Sequence, residues 1–524
     1  MNKALKYLML PLDNFPRLCL TAFLFNFASY FYWLVVPLMC VDQGGSTLDL
    51  SLLQTVAFVI YSILSPFCGK LGDVFNSFII IRVAMCFFVA AVAVILIFPR
   101  TFFVLYISVA LWPFCTSCYW PITTGTCGLE AELGCENRNA SLYQVSWSIG
   151  KSLGFLLGGI LKGALGTNAL YICIAIVAVN MVIYPYRHPK KLRERLAKEK
   201  AEKTKTKKDV KVEVTLEKNT TPSIKEDHPL NIAASSPFAP THQSETTDVE
   251  IPTEVLHQLN GEQPPETPIE VPTTKTVDDS NLSDLQKLKL KWNSLDLKNK
   301  TYIYIGYILQ LGIYGTSAIL TNSYVKLAQD KDITIPIGSN PLEMYIGITF
   351  FFYFIAQTIV MICMSFTTIW IYMRSLIFLV QLFYLAFLFC LSMSSQPYVN
   401  WVLAFFGGLA GGFAYQTSTY YSMRASESSK SMFVGISECI GGLGNALLPL
   451  FSGLLCTFMS DNYIQIYISI IFVLFCCIAE EIVYHSAHFI NEKRQEKRID
   501  PKDVVAHHSP EVQIELADNA KEDK

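Results

Sequence analysis

The chain has 524 residues, 52% of them hydrophobic and only 16% charged, against about 25% charged in an ordinary soluble domain. That balance excludes a soluble enzyme and points to a protein whose solvent is largely lipid. The formal net charge of -2 says nothing about partners, because nearly all charges fall between apolar runs or in two polar stretches; no nucleic-acid partner is expected. The 15 cysteines sit mostly inside apolar runs, where they behave as small apolar residues. Cys115-Thr116-Ser117-Cys118 has CxxC spacing but no second pair, so neither a disulfide framework nor a metal site is expected.

Twelve membrane-length runs follow one another. A helix needs about 20 mainly apolar residues to cross the bilayer core. The first six runs cover roughly 16–39, 50–68, 78–99, 102–122, 141–162 and 168–186. Met1 to Asp13 carries no small-residue cleavage site, so the first run is read as a retained span. Six more lie at roughly 301–325, 342–365, 372–393, 398–422, 431–456 and 463–484. None shows the alternation of barrel strands, which leaves helices as the structures that satisfy the backbone in lipid.

The halves 1–186 and 300–486 are separated by a polar stretch, 187–299, rich in Thr, Pro, Glu and Lys. It has too little apolar area to fold alone and is expected to be largely disordered. A short amphipathic helix over 281–297, with Leu282, Leu285 and Leu288 between lysines, and a loose tether are equally compatible with its end. The tail 487–524 is also polar. Lys and Arg cluster after span six (Arg187 to Lys200) and after span twelve (Lys493 to Arg498), and flank the loops at Lys70, Arg374 and Arg424. The bias puts both termini and the central stretch on the cytoplasmic side. Two segments fit it less well: the acidic stretch from Gly128 to Asn139, and the loop holding Lys326 and Lys331. On this topology the four N-glycosylation sequons face the cytoplasm and stay unmodified. Plasma membrane and endomembranes are not distinguished.

Six plus six spans about a long loop imply an internal duplication. Ser146, Ile149, Gly150 and Leu157 of span five match Ser437, Ile440, Gly441 and Leu448 of span eleven at constant offset.

After span two comes Gly69-Lys70-Leu71-Gly72-Asp73-Val74-Phe75-Asn76, with Arg82 beyond it. This resembles the Gly-x-x-x-Asp loop signature of the major facilitator superfamily. The basic cluster after the Asp is replaced by Asn76 and Ser77, and the second half has no copy. The resemblance implies an all-α membrane protein of twelve helices in two pseudo-symmetric six-helix bundles. It implies that Gly69 and Asp73 form a latch, with Asp73 facing the N-terminus of the eleventh helix, and that Arg82 is a partner for the aspartate. Gly150, Gly154, Gly158 and Gly159 in span five resemble a glycine-rich segment of the antiporter branches, with Phe155 where those have proline. Glycines four apart also let a neighbouring helix approach closely, so packing alone accounts for them equally well.

Ionisable residues deep in spans are functional candidates by default. Lys151 lies near the middle of span five, where it could attract an anion or form a buried pair. Glu438 lies about 10 Å into span eleven at 1.5 Å per residue, where it could bind a coupling proton or a cationic solute, or contact the Asp73 loop. Glu480 and Glu481 near the end of span twelve read as interfacial. In the superfamily, helices one, four, seven and ten line the cavity, which adds Asn26, Tyr30, Gln310, Tyr314 and Gln416 to the candidate site. Trp112 is favoured on the same ground, while Trp33, Gln54, Trp147, Asn322 and Gln357 are further polar or aromatic residues within the spans.

The function implied is a monomeric secondary transporter of a small solute, working by alternating access and open to proton coupling, with no catalytic residues, cofactor or metal. The competing reading is a non-transporting member of the same fold, an adaptor or nutrient sensor acting through its central loop.

Overall fold

The computed structural model describes residues 14–99, 101–129, 136–186, 292, 295–333, 341–425 and 430–496. Most of the central polar stretch, including nearly all of the expected 281–297 helix, lies outside them, as do the termini. The described residues form twelve long helices and no strand. They are α1 (Asn14–Asp42), α2 (Thr47–Val74), α3 (Ser77–Ile97), α4 (Phe102–Leu129), α5 (Glu136–Leu165) and α6 (Leu170–Ile183). After the central stretch come α7 (Leu297–Asn322), α8 (Pro341–Phe366), α9 (Arg374–Met393), α10 (Pro397–Arg424), α11 (Lys430–Met459) and α12 (Ile464–Glu496). A short helix, Tyr324–Asp330, follows α7, and a 3-10 turn, Gly166–Ala169, joins α5 to α6.

Polar caps punctuate the apolar runs. Ser46 and Asp49 form a reciprocal capping box at the start of α2, so two backbone N–H groups find partners at the membrane edge. Asn76 accepts from Phe78 N to start α3, and Asp296 accepts from Asn299 N to start α7.

Ten segments are long and apolar enough to cross a membrane, one of them, Ser141–Ile183, holding both α5 and α6. Helix α10 is not among them. Its Gly407, Gly408, Gly411 and Gly412 and its Ser, Thr and Tyr residues lower its hydropathy, and most of its residues are buried against other helices. It is a span by packing, not by composition.

The packing is two-fold in pattern. Helix α1 packs on α5 and α6 as α7 packs on α11 and α12, and α4 packs on α2 and α3 as α10 packs on α8 and α9. Between the bundles, α2 lies along α11 and α5 along α8, again an equivalent pair. The chain thus folds as two pseudo-symmetric six-helix bundles. The matched glycines of α5 and α11 hold equivalent places. A Cβ on Gly150 would come within 2.3 Å of Phe23 O on α1, and one on Gly441 within 2.6 Å of Gln310 Nε2 on α7.

The bundles touch at both ends. At the end carrying the α1–α2 loop, Asn322 donates to Leu50 O (2.6 Å), Thr47 to Asn462 Oδ1 (2.6 Å), and Ser51 and Ser323 share a hydrogen bond (3.2 Å). At the opposite end, Gln416 donates to Ser141 Oγ (3.2 Å), and Asp73 accepts from Met432 N (3.3 Å). Lys331, basic in a loop where the charge count runs low, donates to Ser392 O and Ser394 O at the end of α9. Partial burial holds its ammonium below the ordinary lysine range.

Candidate functional site

Between the two closed ends lies a cavity walled by α1, α2, α4, α5, α7, α8, α10 and α11. Water-sized molecules have about 60 Å³ for their centres, where one water needs roughly 10–15 Å³. Of its 22 lining residues, eleven are aromatic, and the two charged ones are Lys151 and Glu438.

Lys151 is 6% exposed. Its position on α5 is fixed by the glycine face. Gly150 and Gly154 press against the backbone of α1 at Phe23 and Phe27, which rolls Lys151 toward the cavity. Its ammonium lies 3.8 Å from the ring centroid of Phe354, 4.3 Å from Tyr30 and 5.8 Å from Trp147. Ring faces attract a cation without neutralising it.

Glu438 is 7% exposed. Its two oxygens are held from two sides: Tyr61 of α2 donates to Oε2 (2.7 Å), and Tyr415 of α10 donates to Oε1 (2.8 Å). Tyr415 is in turn stacked on Tyr314 of α7, whose hydroxyl accepts from Gln357 (3.2 Å). Described residues pair with one another at Lys162–Asp42, Lys326–Asp330 and Arg374–Glu481; neither Lys151 nor Glu438 is in an ion pair with another described residue. The two line the same cavity without forming an ion pair.

Four of the seven candidates for the solute or proton site, Tyr30, Lys151, Tyr314 and Glu438, line this cavity together. The other three do not. Asn26 is wholly buried behind it, donating to Ala22 O (2.9 Å) and accepting from Trp120 Nε1 (3.1 Å), so it orients Trp120. Gln310 accepts from Ser418 (2.5 Å) and Ser437 (2.7 Å) and ties α7 to α10 and α11. Gln416 points at Ser141 of α5. One residue rotates a helix face by about 100°, and that is the step from Gln416 to its cavity-facing neighbour Tyr415. Tyr61, Tyr415 and Phe354, which touch Glu438 and Lys151, are among the cavity-lining side chains the sequence did not single out. The signal available for Tyr415 was Gly411 one turn earlier, on the same cavity face.

At the loop, Asp73 Oδ2 meets the first turn of α11 through Met432 N. Gly69 is buried within α2. The close approach in this loop belongs to Gly72, whose Cβ would fall 2.5 Å from Ile122 of α4. Arg82 goes elsewhere than Asp73. It donates to Met181 O (3.2 Å), Pro185 O (3.0 Å) and Tyr184 O at the end of α6, and lies on the ring of Tyr186. Carbonyls left unpaired at a helix end are good acceptors for a guanidinium fork. Gly158 continues the face on α1, whereas Gly159 turns to α8 and would meet Glu343 O at 2.5 Å. Glu480 is buried, not interfacial: it is 5% exposed and accepts from Gln381 of α9 (2.7 Å). Its neighbour Glu481 faces Arg374.

A profile of the Major Facilitator Superfamily matches residues 18–239. No curated protein sequence matches the chain significantly. Among solved structures, a mutant of the nucleoside transporter NupG is similar with a TM-score of 0.54 at 13% identity, covering 90% of this chain and 99% of its own. A mutant of the E. coli fucose:proton symporter FucP gives 0.52 at 10% identity, covering 90% and 98%. That match spans less than half of the chain, the two structures share its fold, and the ten apolar segments make the chain a multi-pass membrane protein.

Proposed function

We propose that this protein is a secondary transporter that carries a small solute across a membrane by alternating access. One observation carries the reading: a cavity, walled by both bundles and closed at both ends by contacts between them, holds a buried lysine and a buried glutamate that do not pair. Rocking of one bundle on the other needs no chemistry. It needs only a solute whose affinity differs between the states facing each side. The names of the two similar structures, a nucleoside transporter and a fucose:proton symporter, support small polar solutes as cargo.

In this reading the Lys and Arg surplus puts the Gly69–Asn76 loop, both termini and the central stretch on the cytoplasmic side. Asp73 latches that loop to the positive end of α11. Coupling to a proton, where it occurs, runs through Glu438, the one carboxyl on the cavity wall. The cavity is complete within one chain, so a monomer is the transporting unit.

The test is uptake of an isotopically labelled pool of small metabolites into proteoliposomes. At least one component is exchanged, and Glu438→Gln lowers that flux ten-fold or more while the protein still inserts and folds. Absence of flux in every component overturns the proposal.

A further inference from the structure

We infer that the cavity is built for a small zwitterion, with the solute's acid group on Lys151 and its ammonium on Glu438; this rests on the transport reading and names its substrate class. Lys151 has ring faces around it and no anion in contact. Glu438 has two hydroxyls, from Tyr61 and Tyr415, and no cation in contact. Each group is held in place by its own neutral shell, and both line one space. A buried ion without a partner is costly, and opposite charges attract more strongly in a low-dielectric interior than in water. Two such charges kept apart in a cavity leave room for a bridging molecule that carries both signs.

Solutes of other classes fit the arrangement less well. An anion on Lys151 would face the carboxylate of Glu438 across the same space. A cation on Glu438 would face the ammonium of Lys151. A neutral solute would leave both ions unpaired. A zwitterion answers both charges and adds none. Its apolar body would lie on the aromatic wall, where Tyr30, Trp147 and Phe354 also offer ring faces.

The experiment uses the full chain in proteoliposomes and in detergent. L-alanine and L-phenylalanine serve as zwitterions, their N-acetyl derivatives as anions and their methyl esters as cations. The expected result is saturable uptake of at least one amino acid, weakened 30-fold or more in either derivative. Lys151→Met should abolish discrimination against the cation, and Glu438→Gln discrimination against the anion. Uptake of anions, cations or neutral solutes with no zwitterion preference leaves transport standing and overturns the inference. If nothing is carried, the transport reading fails alone when an amino acid raises the thermal midpoint of the wild type but of neither variant. If no zwitterion shifts that midpoint or is carried, the inference is overturned. Charge-blind behaviour in both variants overturns it as well.

Discussion

Tyr61 and Glu438 stand 377 residues apart in sequence, yet their side chains share a 2.7 Å hydrogen bond that crosses from one bundle to the other. Tyr415 reaches the second oxygen of the same carboxylate at 2.8 Å from inside Glu438's own bundle. One acceptor is thus bound both within a half and between halves, and the two hydroxyls should behave differently on removal.

Tyr61→Phe deletes a bond that belongs to this arrangement of the bundles. Hydrogen bonds to charged groups contribute about 1.5–3 kcal/mol, so the population of the closed arrangement should fall by roughly 10- to 100-fold against its alternatives. Tyr415→Phe should leave that population within about two-fold, since its hydrogen bond lies within one half and moves with it. Spin labels placed on the two bundles report the populations as distance distributions. An equal shift in both variants would reject the assignment.

Asp73→Asn should slow transport by about two- to five-fold, because a carboxylate at a helix N-terminus contributes roughly 0.3–1 kcal/mol. Insertion into the membrane should be unchanged. Arg82→Gln should instead lower thermal stability, since it strips donors from three carbonyls at the end of α6. The double variant should be additive to within about 0.5 kcal/mol, as expected of groups that share no partner. A coupling well above 1 kcal/mol would show that Arg82 and Asp73 do pair.

The glycines of α5 divide by what they touch. Gly154→Ala would put a methyl 2.5 Å from Phe27 O on α1. Backbone cannot yield easily, so a loss of about 1–3 kcal/mol in stability is expected. Gly158→Ala meets a leucine side chain at 3.3 Å and should be milder. Gly159→Ala would clash with Glu343 O of the other bundle at 2.5 Å. Its effect should fall on the spin-label distances between bundles more than on the melting temperature.

Cross-links give a direct test of rocking. Cys68 and Cys118 lie 3.1 Å apart, on α2 and α4 of one bundle. Oxidising this native pair should leave flux within about two-fold, because a rigid body is only stapled to itself. Thr47→Cys with Asn462→Cys, joined by a short bifunctional thiol reagent, ties α2 to the loop between α11 and α12 of the other bundle and should stop flux. Flux that survives the second link would rule out rocking about this contact.

Much of the fold was legible because lipid imposes a length on every apolar run, and the helices fall where those runs lie. Lys151 and Glu438 were legible for a related reason: an ion in mid-span stands out against its neighbours. Their surroundings were not. No local pattern ties Tyr61 to Glu438 or Phe354 to Lys151, since each pair is made by the packing of separate bundles. The choice of Gln416 over Tyr415 erred by one residue, because polarity ranks the amide first while helix rotation decides which side chain sees the cavity. The pairing of Arg82 with Asp73 was carried over from the family resemblance and missed the carbonyls that the end of α6 offers.

Helix α10 carries a consequence for biogenesis. Its Gly408, Gly411 and Gly412 lie against α8, where a Cβ at Gly412 would meet Gln357 O at 2.6 Å, and its composition alone would hold it poorly in lipid. Such a segment has to enter the membrane against a partner that is already there, in the way small-residue helix faces associate. Its residence in the bilayer is then a property of the growing assembly. Enlarging Gly412 should first be felt at the translocon, as chains whose tenth helix slips back into water and are cleared before they are tested for any cargo.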